Sequence, residues 1–243
     1  MAELPEDVLQ RLREAGGEEL KQLLREVAAD LDVAAAQGVL RNPHAGDEAL
    51  RLLAEQQRLL VFYELRRDLA LHQATPQPLA LGLLSTLYWR DLVTAGLDVR
   101  IRPVVRRAAD QRLIERLPGL AVGEKVNVAR RASPRVLQAL RHDPTLRVVA
   151  ALLDNPRLQE GDLMPLASGE ATHGPVLETI LTHRKWGSRY PIRLAVLRNP
   201  HTPLGVALHH LPLLKKPDLR AMAHDPRLSP PLRQRAELLA GGG

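Results

Sequence analysis

One feature constrains this chain more than any other. A polar, proline-bearing break recurs between short apolar stretches: Arg41-Asn42-Pro43-His44-Ala45, His142-Asp143-Pro144, Asp154-Asn155-Pro156, Arg198-Asn199-Pro200-His201-Thr202-Pro203 and His224-Asp225-Pro226. Proline lacks an N–H and clashes with the preceding helical turn, so it cannot continue a helix. The residue before it is pushed out of the helical region. Asn or Asp at that place closes a local turn with its side chain. The break therefore ends one short helix and begins another. In the 198–203 copy, Thr202 reads as an N-cap and Pro203 as the first helical residue. Ser133-Pro134 and Ser229-Pro230 repeat the start signal, and Thr75-Pro76 is a degenerate copy.

The breaks are spaced regularly. Pro200 to Pro226 is 26 residues, and Pro144 to Pro200 is 56, or two units of 28. Short helices cannot bury an apolar face alone, whereas stacked copies can. Hydrophobic residues make up 45% of the chain but aromatics only 2%, so the core must be Leu, Val and Ala, which suits closely packed helices. No segment shows the alternation of a strand. The expected fold is all-α, an α-solenoid.

The stretch "HDPTLRVVAALLDNPRLQEGDLMPLA" (142–167) resembles the leucine-rich repeat variant, a bacterial helical repeat similar in style to HEAT repeats. "YPIRLAVLRNPHTPLGVALHHLPLL" (190–214) and "PDLRAMAHDPRLSPPLRQRAELL" (217–239) look like further copies. The resemblance covers about 98–239. It implies a curved superhelix of helix pairs whose second member can be 3₁₀, and it implies no catalytic residues. Residues 168–190 depart from it as an insertion or longer helix. The Cys-bearing iron–sulfur segment of some members is missing.

Before the repeats, the apolar rhythm predicts helices over 5–14, 18–37, 47–72 and 77–95, with Leu20, Leu24, Val27 and Leu31 on one face of the second. In 99–120, Asp110-Gln111 stands where a repeat would turn. Phe62, Tyr63, Tyr88 and Trp89 read as core aromatics. The expected organisation is a helical N-terminal part at 1–96 that caps the solenoid, a repeat body at 97–240 and a disordered tail at 241–243.

The charge is uneven. Residues 1–60 hold 7 Lys/Arg against 12 Asp/Glu, a net of −5; the rest holds 27 against 16, a net of +11. A basic surface attracts nucleic acid or acidic protein. The absence of Cys removes disulfides and thiolate chemistry and fits a reducing compartment. No apolar run reaches the roughly 18 residues of a membrane span, and the acidic start does not read as a signal peptide. The expected setting is the cytoplasm, with no membrane span.

No phosphate loop, nucleophile elbow or paired carboxylate is present, so no catalytic residue, metal site or cofactor is nominated. His142 and His224 each precede Asp-Pro, which gives them a turn role. The candidate partner-binding residues are Arg184, Lys185, Trp186, Arg189 and Tyr190, which join cations to two of the six aromatics, and the doublets Arg106-Arg107 and Arg130-Arg131, expected at helix ends. Arg147, Arg193 and Arg220 recur at one early position and are expected to bond a neighbouring turn. The favoured function is a non-enzymatic interaction scaffold with a protein partner. The alternatives are a nucleic-acid-binding HEAT-like protein, with DNA glycosylase activity its least favoured form, and self-association of the acidic part with the basic body.

Overall fold

A computed structural model describes residues 4–241. Among them are seventeen α-helices and no strand. The chain divides into two compact units, Met1–Pro118 and Gly119–Gly243. The 96/97 position falls inside the first of these. Residues 242 and 243 of the expected tail lie outside the described residues, and Gly241 closes the last helix.

The first unit holds α1 (Glu6–Glu14), α2 (Gly17–Glu26), α3 (Val33–Arg41), α4 (Asp47–Glu55), α5 (Tyr63–Leu71), α6 (Gln77–Leu84), α7 (Trp89–Leu97) and α8 (Pro103–Arg116). Helices pack two places along as well as on their neighbours: α1 on α3, α2 on α4, α3 on α5 and α6 on α8. The core is mostly leucine and alanine, with Leu12, Leu20, Leu50, Leu53, Leu65, Leu69, Leu84 and Leu92 fully buried.

Three long helices expected here are each two short ones. The helix expected over 18–37 stops at Glu26 and restarts at Val33, where the Asp32 carboxylate accepts from the Ala35 N–H at 2.7 Å. Leu31 keeps the apolar rhythm because it is buried in the turn itself. The expected 47–72 helix breaks over 56–62 without Pro or Gly. The break is tertiary: the Arg58 guanidinium donates to the carbonyls of Leu31 at 2.6 Å and of Ala28 and Ala29 at 2.8 Å, while Leu59 enters the core. The expected 77–95 helix divides into α6 and α7. Arg116 repeats the Arg58 device there, donating to the Ser85 carbonyl at 2.6 Å and to that of Leu87. Conversely, α8 is continuous where Asp110-Gln111 was expected to turn, and Asp110 is buried within it.

The second unit holds α9 (Val122–Arg131), α10 (Pro134–Leu140), α11 (Leu146–Leu153), α12 (Glu160–Ser168), α13 (Gly174–Thr182), α14 (Tyr190–Leu197), α15 (Leu204–His210), α16 (Lys216–Ala223) and α17 (Pro230–Gly241). Here too α9 packs on α11, α11 on α13, α12 on α14 and α15 on α17. A 3₁₀ turn, Leu211–Leu213, follows α15. Residues 168–190 are no insertion: they contain α13, an ordinary helix of the series.

The proline-bearing breaks do more than turn the chain. The Oδ1 atoms of Asn42, Asn155 and Asn199 accept from the N–H two residues on, at 2.7, 2.8 and 3.0 Å. Each Nδ2 reaches back 23 to 32 residues to orphan carbonyls near an earlier helix end: Asn42 to Leu12 and Ala15, Asn155 to Ala129 and Ala132, Asn199 to Ala167 and Gly169. All three asparagines are buried, so each ties its turn to an earlier helix end at a point closed to water. Thr202 is not an N-cap. Its hydroxyl turns back to the Val196 carbonyl at 2.5 Å, as Thr75 does to Leu69 and Thr172 to Leu166, and Pro203 occupies the N-cap position.

The two units carry one pattern at a constant offset of 127 residues. Helices α3 to α8 begin at 33, 47, 63, 77, 89 and 103, and α12 to α17 begin at 160, 174, 190, 204, 216 and 230. Identical residues include Tyr63/Tyr190, Arg66/Arg193, Thr75/Thr202, Pro76/Pro203, Ala80/Ala207, Asp91/Asp218, Asp98/Asp225, Arg100/Arg227 and Pro103/Pro230. The six-helix block occurs twice.

Candidate functional site

The shared frame is clearest at its tyrosines. Each stands first in its helix, and its hydroxyl bridges the start of a later one. Tyr63 accepts from the Tyr88 N–H at 3.0 Å and donates to Asp91. Tyr190 accepts from the Lys215 N–H at 3.1 Å and donates to Asp218. Tyr88 and Lys215 are N-cap residues, and the aspartates lie in the first turn. In a capping box the acid takes that N–H directly, as Glu124 does from Ala121 at 2.9 Å and Asp162 from Gln159 at 3.1 Å. Here a phenol is inserted between them. Burial, then the Asp91 bond, pushes Tyr63 up to about 12, and the same causes raise Tyr190. Both phenols therefore stay protonated as donors at neutral pH.

Around this frame the outward residues differ. In the first unit, Val61, Phe62 and Tyr88 are 74%, 48% and 65% exposed. Tyr88 lies on Tyr63 with ring centroids 4.4 Å apart, and Arg66 sits over Tyr63 at 5.9 Å. These aromatics were expected to be core. They face outward because the tyrosine hydroxyl must stay at a helix start, which leaves Phe62 and Tyr88 on the rim.

At the equivalent place the second unit is cationic. Trp186 is 1% exposed and its indole N–H donates to the Leu153 carbonyl at 2.9 Å, so it belongs to the core. Lys185 lies over its ring at 4.2 Å and Arg189 at 5.6 Å. Arg189 also pairs with Glu160 at 3.3 Å, and Lys215 lies over Tyr190 at 4.9 Å. Arg184 is exposed. His183 accepts from the Lys185 and Trp186 N–H groups at 3.3 and 3.4 Å and sits 3.3 Å from Asp154. Beside it is a depression of about 480 Å³ lined by Leu153, Asp154, Pro156, His183, Arg184 and Lys185. Gly187 is required by close approach: a Cβ there would run into the Leu181 carbonyl. The first unit has Leu59-Leu60 at this point.

The structure gathers Lys185, Trp186, Arg189 and Tyr190 into one connected cluster, with Arg184 adjacent, and adds Lys215, which the sequence reading did not single out. The doublets lie elsewhere. Arg106 and Arg107 sit in the first half of α8, not at a helix end, because α8 runs on to Arg116. Arg106 is half-buried and Arg107 exposed. Arg130 and Arg131 do end α9, and both are exposed. Arg193 bonds the turn before it, donating to the Gly187 and Ser188 carbonyls at 3.1 and 3.4 Å. Arg147 and Arg220 are exposed instead of bonding a turn.

One cleft also recurs. In the first unit it is about 430 Å³, lined by Gln37, Arg41, Asp68, His72, Gln73 and Arg100, among others. In the second it is about 360 Å³, with Met164, Ser168, Ala195, Asn199, Pro200 and Arg227 at the same positions. His72 stands where Asn199 stands and does its work. Its Nδ1 accepts from the Ala74 N–H at 3.2 Å, and the ring donates to the Leu40 carbonyl. Burial lowers its pKa, against the opposing effect of the Leu40 bond. Among the described residues, no group of three His, Asp or Glu side chains is placed to hold a metal ion. No described helix is long and apolar enough to cross a membrane.

No protein-family model matches this chain, and no curated protein or solved structure matches it.

Proposed function

We propose that the chain is a non-enzymatic protein-interaction scaffold, built as an α-solenoid of the leucine-rich-repeat-variant or HEAT-like kind. One observation carries this reading: the residues that hold the repeats together recur at a 127-residue offset, while the exposed residues around them change from aromatic to cationic. A frame kept constant under changing surface chemistry is the economy of repeat proteins, which present extended binding surfaces. The Asn-bearing turns support the stacking, since each fastens one repeat to the one before it. The test is site-specific photo-cross-linking from position 62 and from position 189 of the full chain. Discrete protein adducts are expected from at least one position. Adducts only to nucleic acid, or none, would overturn the reading.

A second reading, a nucleic-acid-binding helical repeat, is favoured by Arg130 and Arg131, adjacent exposed cations at the end of α9. It requires DNA or RNA affinity that falls steeply with salt and falls again in Arg130→Glu/Arg131→Glu. Fluorescence anisotropy measures both.

A further inference from the structure

Five outward positions form equivalent pairs in the two units: Gln57/Arg184, Arg58/Lys185, Phe62/Arg189, Tyr88/Lys215 and Trp89/Lys216. In the second unit all five are exposed cations. The fold does not require this, because the first unit keeps the same tyrosine–aspartate frame with one cation among the five. Three of the five are linked in space, and Arg184 and Lys216 each adjoin one of these along the chain. Lys185 and Arg189 share the Trp186 ring, Arg189 adjoins Tyr190, and Lys215 lies on Tyr190. Gathering like charges opposes folding through their mutual repulsion. Of the carboxylates at the margin, Glu160 pairs with Arg189, and Asp154 lies 3.3 Å from the His183 ring. The second unit as a whole has 18 Lys/Arg against 10 Asp/Glu, a net of +8, and the first has 16 against 18, a net of −2.

We propose that the surface formed by Arg184, Lys185, Arg189, Lys215 and Lys216 is the docking site for an acidic peptide segment of a partner protein. This rests on the interaction-scaffold reading and names the chemistry of one partner. Three observations select this occupant. Trp186 is buried and Lys215 lies over the ring of half-buried Tyr190, so the cluster offers no open aromatic platform to nucleic-acid bases. The heads of Lys185, Arg189 and Lys215 are steadied on those rings, which reduces the entropy lost when a carboxylate binds. A second copy is a poorer occupant: the chain carries +6 overall, and carboxylates of its acidic stretch already pair internally, Glu19 with Arg11 and Glu48 with Lys21 and Arg25.

The test uses the full chain and a fluorescein-labelled Glu/Ala peptide of about 16 residues, with a Gln/Ala peptide, a single-stranded DNA and a duplex DNA as comparators. Anisotropy is read from about 50 to 300 mM salt, where screening of exposed charges is strong. The Glu/Ala peptide should bind and the Gln/Ala peptide should not. Affinity should fall at least tenfold across the salt range, and at least tenfold again in Arg184→Gln/Lys185→Gln/Lys215→Gln. The single variant Lys216→Glu, at an exposed position, guards against misfolding of the triple variant and should lose affinity severalfold. Unchanged binding in Lys216→Glu or in a folded triple variant would overturn the proposal. So would DNA binding tighter than the peptide at every salt concentration, or self-association in sedimentation that Lys216→Glu abolishes. Failure here leaves the scaffold reading standing if cross-linking from position 62 still captures a protein.

Discussion

The two units agree in the hydrogen-bonded frame that joins their helices and differ in the side chains set around it. Tyr63 and Tyr190 make the same two hydrogen bonds, and Asp98 and Asp225 hold Arg100 and Arg227 in the same fork. Yet Phe62 is replaced by Arg189 and Tyr88 by Lys215. Buried hydrogen-bonded groups are costly to alter one at a time, because each change orphans its partner. An outward side chain can change with little effect on folding. The comparison thus separates positions that specify the fold from positions free to specify a partner.

The sharpest break between the units is the core beneath the cationic surface, Trp186-Gly187 against Leu59-Leu60. Trp186→Ala should cost about 3–5 kcal/mol in chemical denaturation, the range for deleting a large buried ring. A loss below about 1 kcal/mol would show that the indole is not the support of the cationic face. The next effect in size tests the turns. Asn199→Ala should cost about 1–3 kcal/mol, since it leaves the Ala167 and Gly169 carbonyls and the His201 N–H without their partner. Asn199→His should recover part of this, because His72 fills the equivalent place. A histidine no better than alanine would deny that equivalence.

The smallest effect is one of pH. The lowered pKa of His72 means that, as pH falls, the unfolded chain takes up this proton before the folded one. The stability linked to it is complete above about pH 6.5 and declines as the pH drops below that value. His72→Asn should leave the melting temperature near neutrality little changed and reduce its fall between pH 7 and 5. An equal fall in both proteins would remove His72 from the account.

Much of this architecture is legible in the sequence. Asn-Pro and Asp-Pro mark turns because proline chemistry is local, and the second unit follows from them. The first unit is harder to read. Its breaks at 27–32 and 56–62 carry no proline, and the second is made by Arg58 reaching carbonyls 27 to 30 residues earlier. Apolar periodicity runs through such a break because Leu31 and Leu59 stay buried in the turns. The 127-residue duplication is also present in the sequence, in Thr75-Pro76 with Thr202-Pro203 and Asp98-x-Arg100 with Asp225-x-Arg227. Its 127-residue spacing is not a multiple of the 26–28 residues that separate the breaks. At the candidate site the cations could be named from composition, but the burial of Trp186 and the inclusion of Lys215 depend on long-range packing.

The central claim is that one frame carries two interchangeable surfaces. It is tested by giving the first unit outward cations of the second, Gln57→Arg, Phe62→Arg and Tyr88→Lys, with Arg58 left to its backbone carbonyls. Titration calorimetry with the Glu/Ala peptide then counts sites on the full chain. The account predicts a folded protein whose stoichiometry rises from one peptide to two, with the lysine introduced at position 88 resting on Tyr63 as Lys215 rests on Tyr190. A folded variant that still binds one peptide would contradict it.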